Sequence, residues 1–459
     1  MPRFSSQYVC QQCGYTSPKW MGQCSECGAW NSLVETVVQK SGRRSAKGRS
    51  ETGFRDVTGS EPVKLSDVKK ADYAKRTSTG ISELDRVLGG GIVPGMVALI
   101  AGEPGIGKST LLLQVADSLR TTDYGSKKAV DGRQSTVVYI AGEESANQIA
   151  GRAGRLGILG KNIEVVEETD VDSLIGQISQ MSQIGLIIVD SVQTLSTQDL
   201  TGSAGSVGQV RECAARLTSW AKKNHVPVFL VGHVTREGTI AGPRVLEHMV
   251  DTVLWFEGER REFLRVLRGI KNRFGPTDEV GIFTMEEKGL VEVKNPSGAF
   301  LEEHKEIPGA VPGVVIEGTR PIIVEFQALV APTKLAFPKR SASGVDSRRL
   351  ELIVAVLTRR VGLPLWEYDI FVNVAGGLKV QDPASDLAIA LAIASAFHDR
   401  PIAKGVAVVG EVGLLGEVRN VIQLDRRIKE AQRLGFKGVV SSKTTRTVSE
   451  AVGKYISSK

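Results

Sequence analysis

One short stretch constrains the fold of this 459-residue chain more than any other. An apolar run over residues 96–101 leads into Gly102-Glu103-Pro104-Gly105-Ile106-Gly107-Lys108-Ser109-Thr110, and Leu111, Leu112, Val115 and Leu119 follow at helical spacing. Strand, glycine-rich turn and helix in that order belong to an α/β fold in which successive backbone N–H groups turn inward to cradle phosphate. Lys108 is placed to reach the β and γ phosphates, and the Ser109 hydroxyl to ligate Mg2+. A nucleoside triphosphate is therefore the expected ligand, held by residues 102–110.

Further strands end in residues with chemistry to offer. Residues 136–141 run into Gly142, Glu143 and Glu144; residues 186–189 end at Asp190; residues 228–231 lead into Gly232 and His233. In open parallel sheets the ligand lies outside the carboxyl ends of the strands, so these tips converge on one site. Asp190 has the position of an acid that orients magnesium through water, Glu143 that of a base for the attacking water, and His233 that of a γ-phosphate sensor. Glu144 reads equally well as a solvated or helix-capping acid. Two polar, glycine-rich stretches, 197–209 and 235–247 with Arg236 and Arg244, have the length of loops that are either functional or disordered, and either could face a nucleic-acid strand. Residues 263–270 and 279–283 read as paired strands. Lys271 and Arg273 lie between them, two residues apart and so on one side of an extended backbone. They form either an exposed hairpin tip or a cationic finger for phosphate, in this subunit or a neighbour.

Cys10, Cys13, Cys24 and Cys27 form two C-x2-C pairs, a spacing suited to tetrahedral structural Zn2+ with no open coordination position. Cys213 falls at helical spacing with Val210, Leu217 and Ala221 and is expected in a core. Between Lys40 and Ser50 lie Lys40, Arg43, Arg44, Lys47 and Arg49 among Ser and Gly, which reads as a flexible basic linker. The net charge of +7 suits a polyanionic partner. No apolar run approaches the ~18 residues of a membrane span, and the N-terminus lacks the apolar core of a secretory signal, so a cytoplasmic protein is expected.

The four-cysteine module, a P-loop core with Gly142-Glu143-Glu144-Ser145, and Lys271-Asn272-Arg273-Phe274-Gly275 together resemble the RadA (Sms) family of bacterial DNA repair proteins over nearly the whole chain. That resemblance implies a RecA-like ATPase, similar to hexameric DnaB-type ring helicases. It implies binding to single-stranded DNA and branch migration of recombination intermediates alongside the RecA recombinase. It also implies that Lys271 and Arg273 reach the nucleotide of an adjacent subunit. The last segment is similar to the proteolytic domain of Lon: Asp382-Pro383-Ala384-Ser385 precedes an apolar helix, placing Ser385 where Lon carries its nucleophile. The position of the Lon lysine falls on Asp425, a poor base for serine, so no protease activity is expected and Ser385 is read as a helix N-cap. Lys379, Arg426, Arg427 and Lys429 are expected to add basic surface.

The expected architecture is α/β: a zinc finger over 1–30, a basic linker over 31–70, a RecA-like core over 71–290, and an α+β Lon-like domain over 291–459. Two other readings stand beside it. A KaiC-like regulatory ATPase shares the glutamate pair and needs no DNA; an ATP-dependent Lon-type protease needs the base that Asp425 does not provide.

Overall fold

The computed structural model describes residues 4–10, 15–28, 30, 32–39, 76–119, 135–233, 243–258, 264–301, 307–334 and 337–456. The basic stretch 40–50, Cys13 and Arg236 lie outside them. The chain divides into two compact units, one holding residues 1–255 with 270–275 and 287–289, the other holding 256–269, 276–286 and 290–459.

The first unit begins with a small antiparallel sheet of β1 (Phe4–Cys10), β2 (Thr16–Ser17) and β3 (Leu33–Gln39). β1 pairs with β3 from Phe4↔Gln39 to Cys10↔Leu33. The module's sheet thus runs to Gln39, and a boundary at residue 30 falls inside it.

The larger sheet of this unit is built by α1 (Ser82–Leu88), β4 (Val97–Gly102), α2 (Lys108–Ser118), β5 (Thr136–Ala141), α3 (Ala146–Arg155), β6 (Ile163–Val166), α4 (Val171–Ile178), β7 (Ile184–Asp190), α5 (Val207–Asn224), β8 (Val228–His233), α6 (Pro243–Glu247) and β9 (Thr252–Glu257). Strand order is β9-β4-β8-β7-β5-β6, and the pairs β4/β8, β8/β7, β7/β5 and β5/β6 are parallel. These strands read as unbroken apolar runs because helices cover both faces: Val97–Gly102 is buried at every position. Cys213 sits in the core on α5, where burial pushes its thiol up to about 12. The register Gly102↔His233 brings the carboxyl ends of β4 and β8 level, and Ala141↔Asp190 those of β5 and β7; the pairing Val189↔Leu230 sets the first pair two residues beyond the second.

β10 (Leu264–Asn272) and β12 (Gly289–Glu292) straddle the division, with residues 270–272 and 289 in the first unit; β11 (Val280–Glu286), antiparallel to β10 from Leu264↔Thr284 to Arg268↔Val280, and α7 (Pro296–Leu301) belong to the second unit. Its main sheet uses β13 (Ala310–Glu317), β14 (Arg320–Pro332), β15 (Arg340–Ser343), β16 (Tyr368–Val374) and β17 (Val406–Val408), a two-strand ribbon of β18 (Glu411–Val412) and β19 (Val418–Arg419) standing apart, and then β20 (Gly438–Val440). The order is β15-β16-β14-β13-β17-β20, with antiparallel pairs at the centre and parallel pairs at both edges, an α+β arrangement. The remaining helices are α8 (Ser347–Val356), α9 (Asp386–His398), α10 (Leu424–Arg433) and α11 (Val448–Tyr455). α9 is buried from Asp386 to Ser395 and packs on β13 and β14, which explains its nearly all-apolar sequence. No helix is long and apolar enough to cross a membrane among the described residues.

Candidate active site

The P-loop departs from β4 through Gly102 (φ 157°), Gly105 (φ 79°) and Gly107 (φ 116°), the last two in the left-handed region that a side chain disfavours. Ile106, 2% exposed, anchors the turn, while Glu103, Pro104 and Gly105 face outward. No side chain caps the start of α2, so its first N–H groups face the loop with Ser109 and Thr110 on the first turn. Lys108 is 3% exposed, and its Nζ donates to Gly102 O at 2.8 Å and Glu103 O at 3.0 Å. Burial lowers its pKa to about 8, against the opposing pull of Asp190 and Glu143.

The strand tips bring the acids to the same place. Tyr139 donates its hydroxyl to Asp190 Oδ2 at 2.5 Å, and Ser191 donates to Glu143 Oε1 at 2.6 Å. Burial, reinforced by Asp190, raises the Tyr139 phenol well above its ordinary value. His233 Nε2 stands 3.6 Å from Glu143 Oε1, and both ring nitrogens are buried without a hydrogen-bond partner. Burial and then Lys108 lower the pKa of His233, which favours the neutral ring. Gln193 Nε2 donates to His233 O at 3.2 Å, and Gln193 Oε1 is buried and unpartnered beside it. Glu144 turns the other way and pairs with Arg152 on α3. The two adjacent glutamates therefore differ: Glu143 faces Lys108 and His233, while Glu144 fastens a helix. Gly142 lets the end of β5 lie close against the 3-10 turn Val192–Thr194 that follows β7, since a Cβ there would lie 1.7 Å from Thr194 Oγ1.

Tyr139, Ser191 and Gln193 escaped sequence reasoning, although each lies within four residues of a residue it singled out. The donor set fits a metal–nucleotide: a lysine, a hydroxyl, two carboxylates and backbone N–H groups at one helix start, with two imidazole nitrogens still to be satisfied.

Lys271 and Arg273 lie on one side of the strand end, as their spacing implies. Lys271 Nζ donates to Val250 O at 2.8 Å and to Glu247 O at 2.5 Å; Arg273 Nη1 reaches Asp251 Oδ1 at 3.5 Å and is 54% exposed. Burial and the neighbouring Arg273 lower the Lys271 pKa. The loop after Asp190 is firmly held. Gln209 accepts from Thr197 N and donates to the carbonyls of Thr197, Leu200 and Gly202, while Arg216 pairs with Asp172, Asp199 and Glu212.

In the N-terminal module the sulfurs of Cys10, Cys24 and Cys27 lie within 4.8 Å of one another, and Cys10 Sγ is 3.6 Å from Cys27 Sγ. Cys10 and Cys24 are buried with Leu33 at its core. Three converging thiols where an apolar core would otherwise stand suit zinc.

Two expectations for the C-terminal unit need correction. Ser385 does not cap α9 with its side chain: Ser385 Oγ donates to Asp382 O at 2.8 Å, and Asp382 itself caps the turn by accepting from Ala384 N at 3.0 Å. Arg427 is not surface: it is 3% exposed and donates to Asp382 Oδ2 at 2.5 Å, Val314 O at 3.0 Å and Ile422 O at 3.1 Å. Lys379, Arg426 and Lys429 are exposed. Asp425 is exposed too and pairs with Lys443 at 2.7 Å, which holds its carboxyl below the usual range.

Comparison with known proteins gives a match to an AAA domain family over residues 60–239, a rubredoxin metal binding domain family over 8–35, and the family of subunit ChlI of Mg-chelatase over 346–445. DNA repair protein RadA of Bacillus subtilis is 48% identical over 441 residues, covering 96% of this chain and 93% of the relative. DNA repair protein RadA of Listeria monocytogenes is 47% identical over 438 residues, covering 95% of this chain and 91% of the relative. Among solved structures, a KaiC-like protein from Pyrococcus horikoshii overlaps with a TM-score of 0.38 at 20% identity, covering 48% of this chain and 99% of that one.

Proposed function

Because the chain belongs to the DNA repair protein RadA family, we propose that it is a DNA-dependent ATPase that binds single-stranded DNA and drives branch migration of recombination intermediates as a hexameric ring, alongside the RecA recombinase. The observation that carries this reading is the convergence of Lys108, Glu143, Asp190 and His233 at the carboxyl ends of β4, β5, β7 and β8. Residues 102–110 hold the triphosphate. Ser109 and, through water, Asp190 are the groups that would hold Mg2+, whose chemistry is to draw charge off the β and γ phosphate oxygens. Glu143, held by Ser191, takes the proton of the attacking water, and neutral His233 donates toward the γ phosphate.

Lys271 and Arg273 complete a neighbouring subunit's site. Their carbonyl and carboxylate partners lie within their own chain, so engagement exchanges these bonds for phosphate oxygens. The loop over 197–209 faces the DNA path. The zinc module serves as a docking surface. The C-terminal unit assembles the ring; its serine hydroxyl is engaged by Asp382 O and a carboxylate stands at position 425, which supports a role without proteolysis.

ATP hydrolysis stimulated by single-stranded DNA tests the reading. Lys108→Ala should abolish turnover, and Lys271→Ala should keep nucleotide binding but lose stimulated hydrolysis. Mixing the two, with subunit exchange demonstrated, should restore some complete sites. Hydrolysis indifferent to DNA would favour a KaiC-like switch instead.

A further inference from the structure

Strand β5 is apolar at Val137, Val138 and Ile140, yet carries a phenol at Tyr139, which is 1% exposed. Its ring volume alone would be supplied equally by phenylalanine. The hydroxyl is what the position adds, and a buried hydroxyl requires a partner. The register Ala141↔Asp190 sets β7 so that this partner is Asp190, whose Oδ2 accepts from Tyr139 at 2.5 Å. A carboxylate at a strand end otherwise rotates about its terminal torsion, which is soft and broad. With Oδ2 held by the phenol, that rotation is fixed and Oδ1 is presented in one direction.

We propose that Tyr139 is a positioning residue for metal binding, orienting Asp190 so that its second oxygen meets the water shell of the cation that accompanies the nucleotide. The proposal rests on the assignment of Asp190 above. Tyr139 touches neither phosphate nor the reacting water in this scheme; it acts through Asp190. The adjacent bond from Ser191 to Glu143 holds the other acid independently, so loss of the phenol should change how the metal binds without displacing the base.

Mn2+, followed by electron paramagnetic resonance, is the probe, titrated into the full-length protein saturated with ADP; ADP affinity is measured separately in EDTA. Tyr139→Phe should raise the Mn2+ concentration for half-saturation roughly tenfold, the fold-change of one lost hydrogen bond to a charged group. ADP affinity in EDTA should stay at the wild-type value. Tyr139→Met, a second variant without a donor, should show the same shift. Asp190→Asn is the reference. If Asp190→Asn loses Mn2+ while both Tyr139 variants bind it like wild type, the positioning role is overturned and the Asp190 assignment stands. If Asp190→Asn also binds Mn2+ normally, both fall. Parallel loss of ADP in EDTA and of Mn2+ in the Tyr139 variants would show a packing role and overturn the proposal.

Discussion

Replacing Arg427 with alanine removes a guanidinium that is 3% exposed and donates to three groups, the carboxylate of Asp382 and the carbonyls of Val314 and Ile422. Asp382 is itself only 14% exposed and also accepts from Ile316 N and Ala384 N, so it cannot turn to solvent without releasing the turn before α9. Breaking a buried ion pair from one side costs about 3–5 kcal/mol, because the remaining charge stays desolvated. For a unit of this size each kcal/mol lowers the melting temperature by ~2–4 °C, which gives a fall on the order of 10 °C. Differential scanning calorimetry of the full chain measures it, in the transition that bound nucleotide leaves in place. Arg426→Ala, at an exposed neighbour, should move that transition by no more than about 0.5 kcal/mol. An Arg427→Ala protein that melts like wild type but loses DNA affinity would refute the reasoning and return Arg427 to the surface.

Nucleotide affinity should weaken as pH is raised through about 8, because free Lys108 loses its proton there while phosphate holds it in the complex. Binding above pH 8 should then take up a proton, readable by calorimetry in buffers of differing ionisation enthalpy, and Lys108→Arg should abolish the uptake. A chelator should release one zinc per chain and expose four thiols to a colorimetric reagent, with Cys213 reacting only on unfolding; a fifth fast thiol would contradict its burial. Ser385→Ala should cost about 1 kcal/mol, the value of its bond to Asp382 O, and Asp382→Ala several times that. Casein cleavage by the wild type that vanishes in Ser385→Ala would overturn the absence of peptidase activity.

The strand, glycine-rich turn and helix over residues 97–118 were legible because their signals lie in contiguous residues: glycines that permit the turn, one lysine, and strand and helix patterns on either side. The tips at Glu143, Asp190 and His233 were legible because each apolar run stops at a polar residue. The contacts that orient them were not, since Tyr139 meets Asp190 and Ser191 meets Glu143 only through the register between β5 and β7, which no local pattern encodes. Arg427 reads as surface within Leu424–Arg433, a strongly charged helix, and its burial depends on a partner 45 residues away. The cap at Asp382 does have a local sign, Asp followed by Pro at the first helical position. Reading the serine three residues later as the cap missed the extra turn between them.

The carboxamide of Gln209 constrains how this sequence can drift. Its oxygen takes one backbone N–H and its nitrogen faces three carbonyls, so glutamate there would set an acceptor against Thr197, Leu200 and Gly202. Asparagine would fall one methylene short, roughly 1.5 Å, and break the same bonds by distance. Neither of the nearest chemical relatives of glutamine can stand in for it. The spacing from Thr197 to Gln209 is tied to the same group, so an insertion between residues 197 and 202 would have to loop outward around a fixed post.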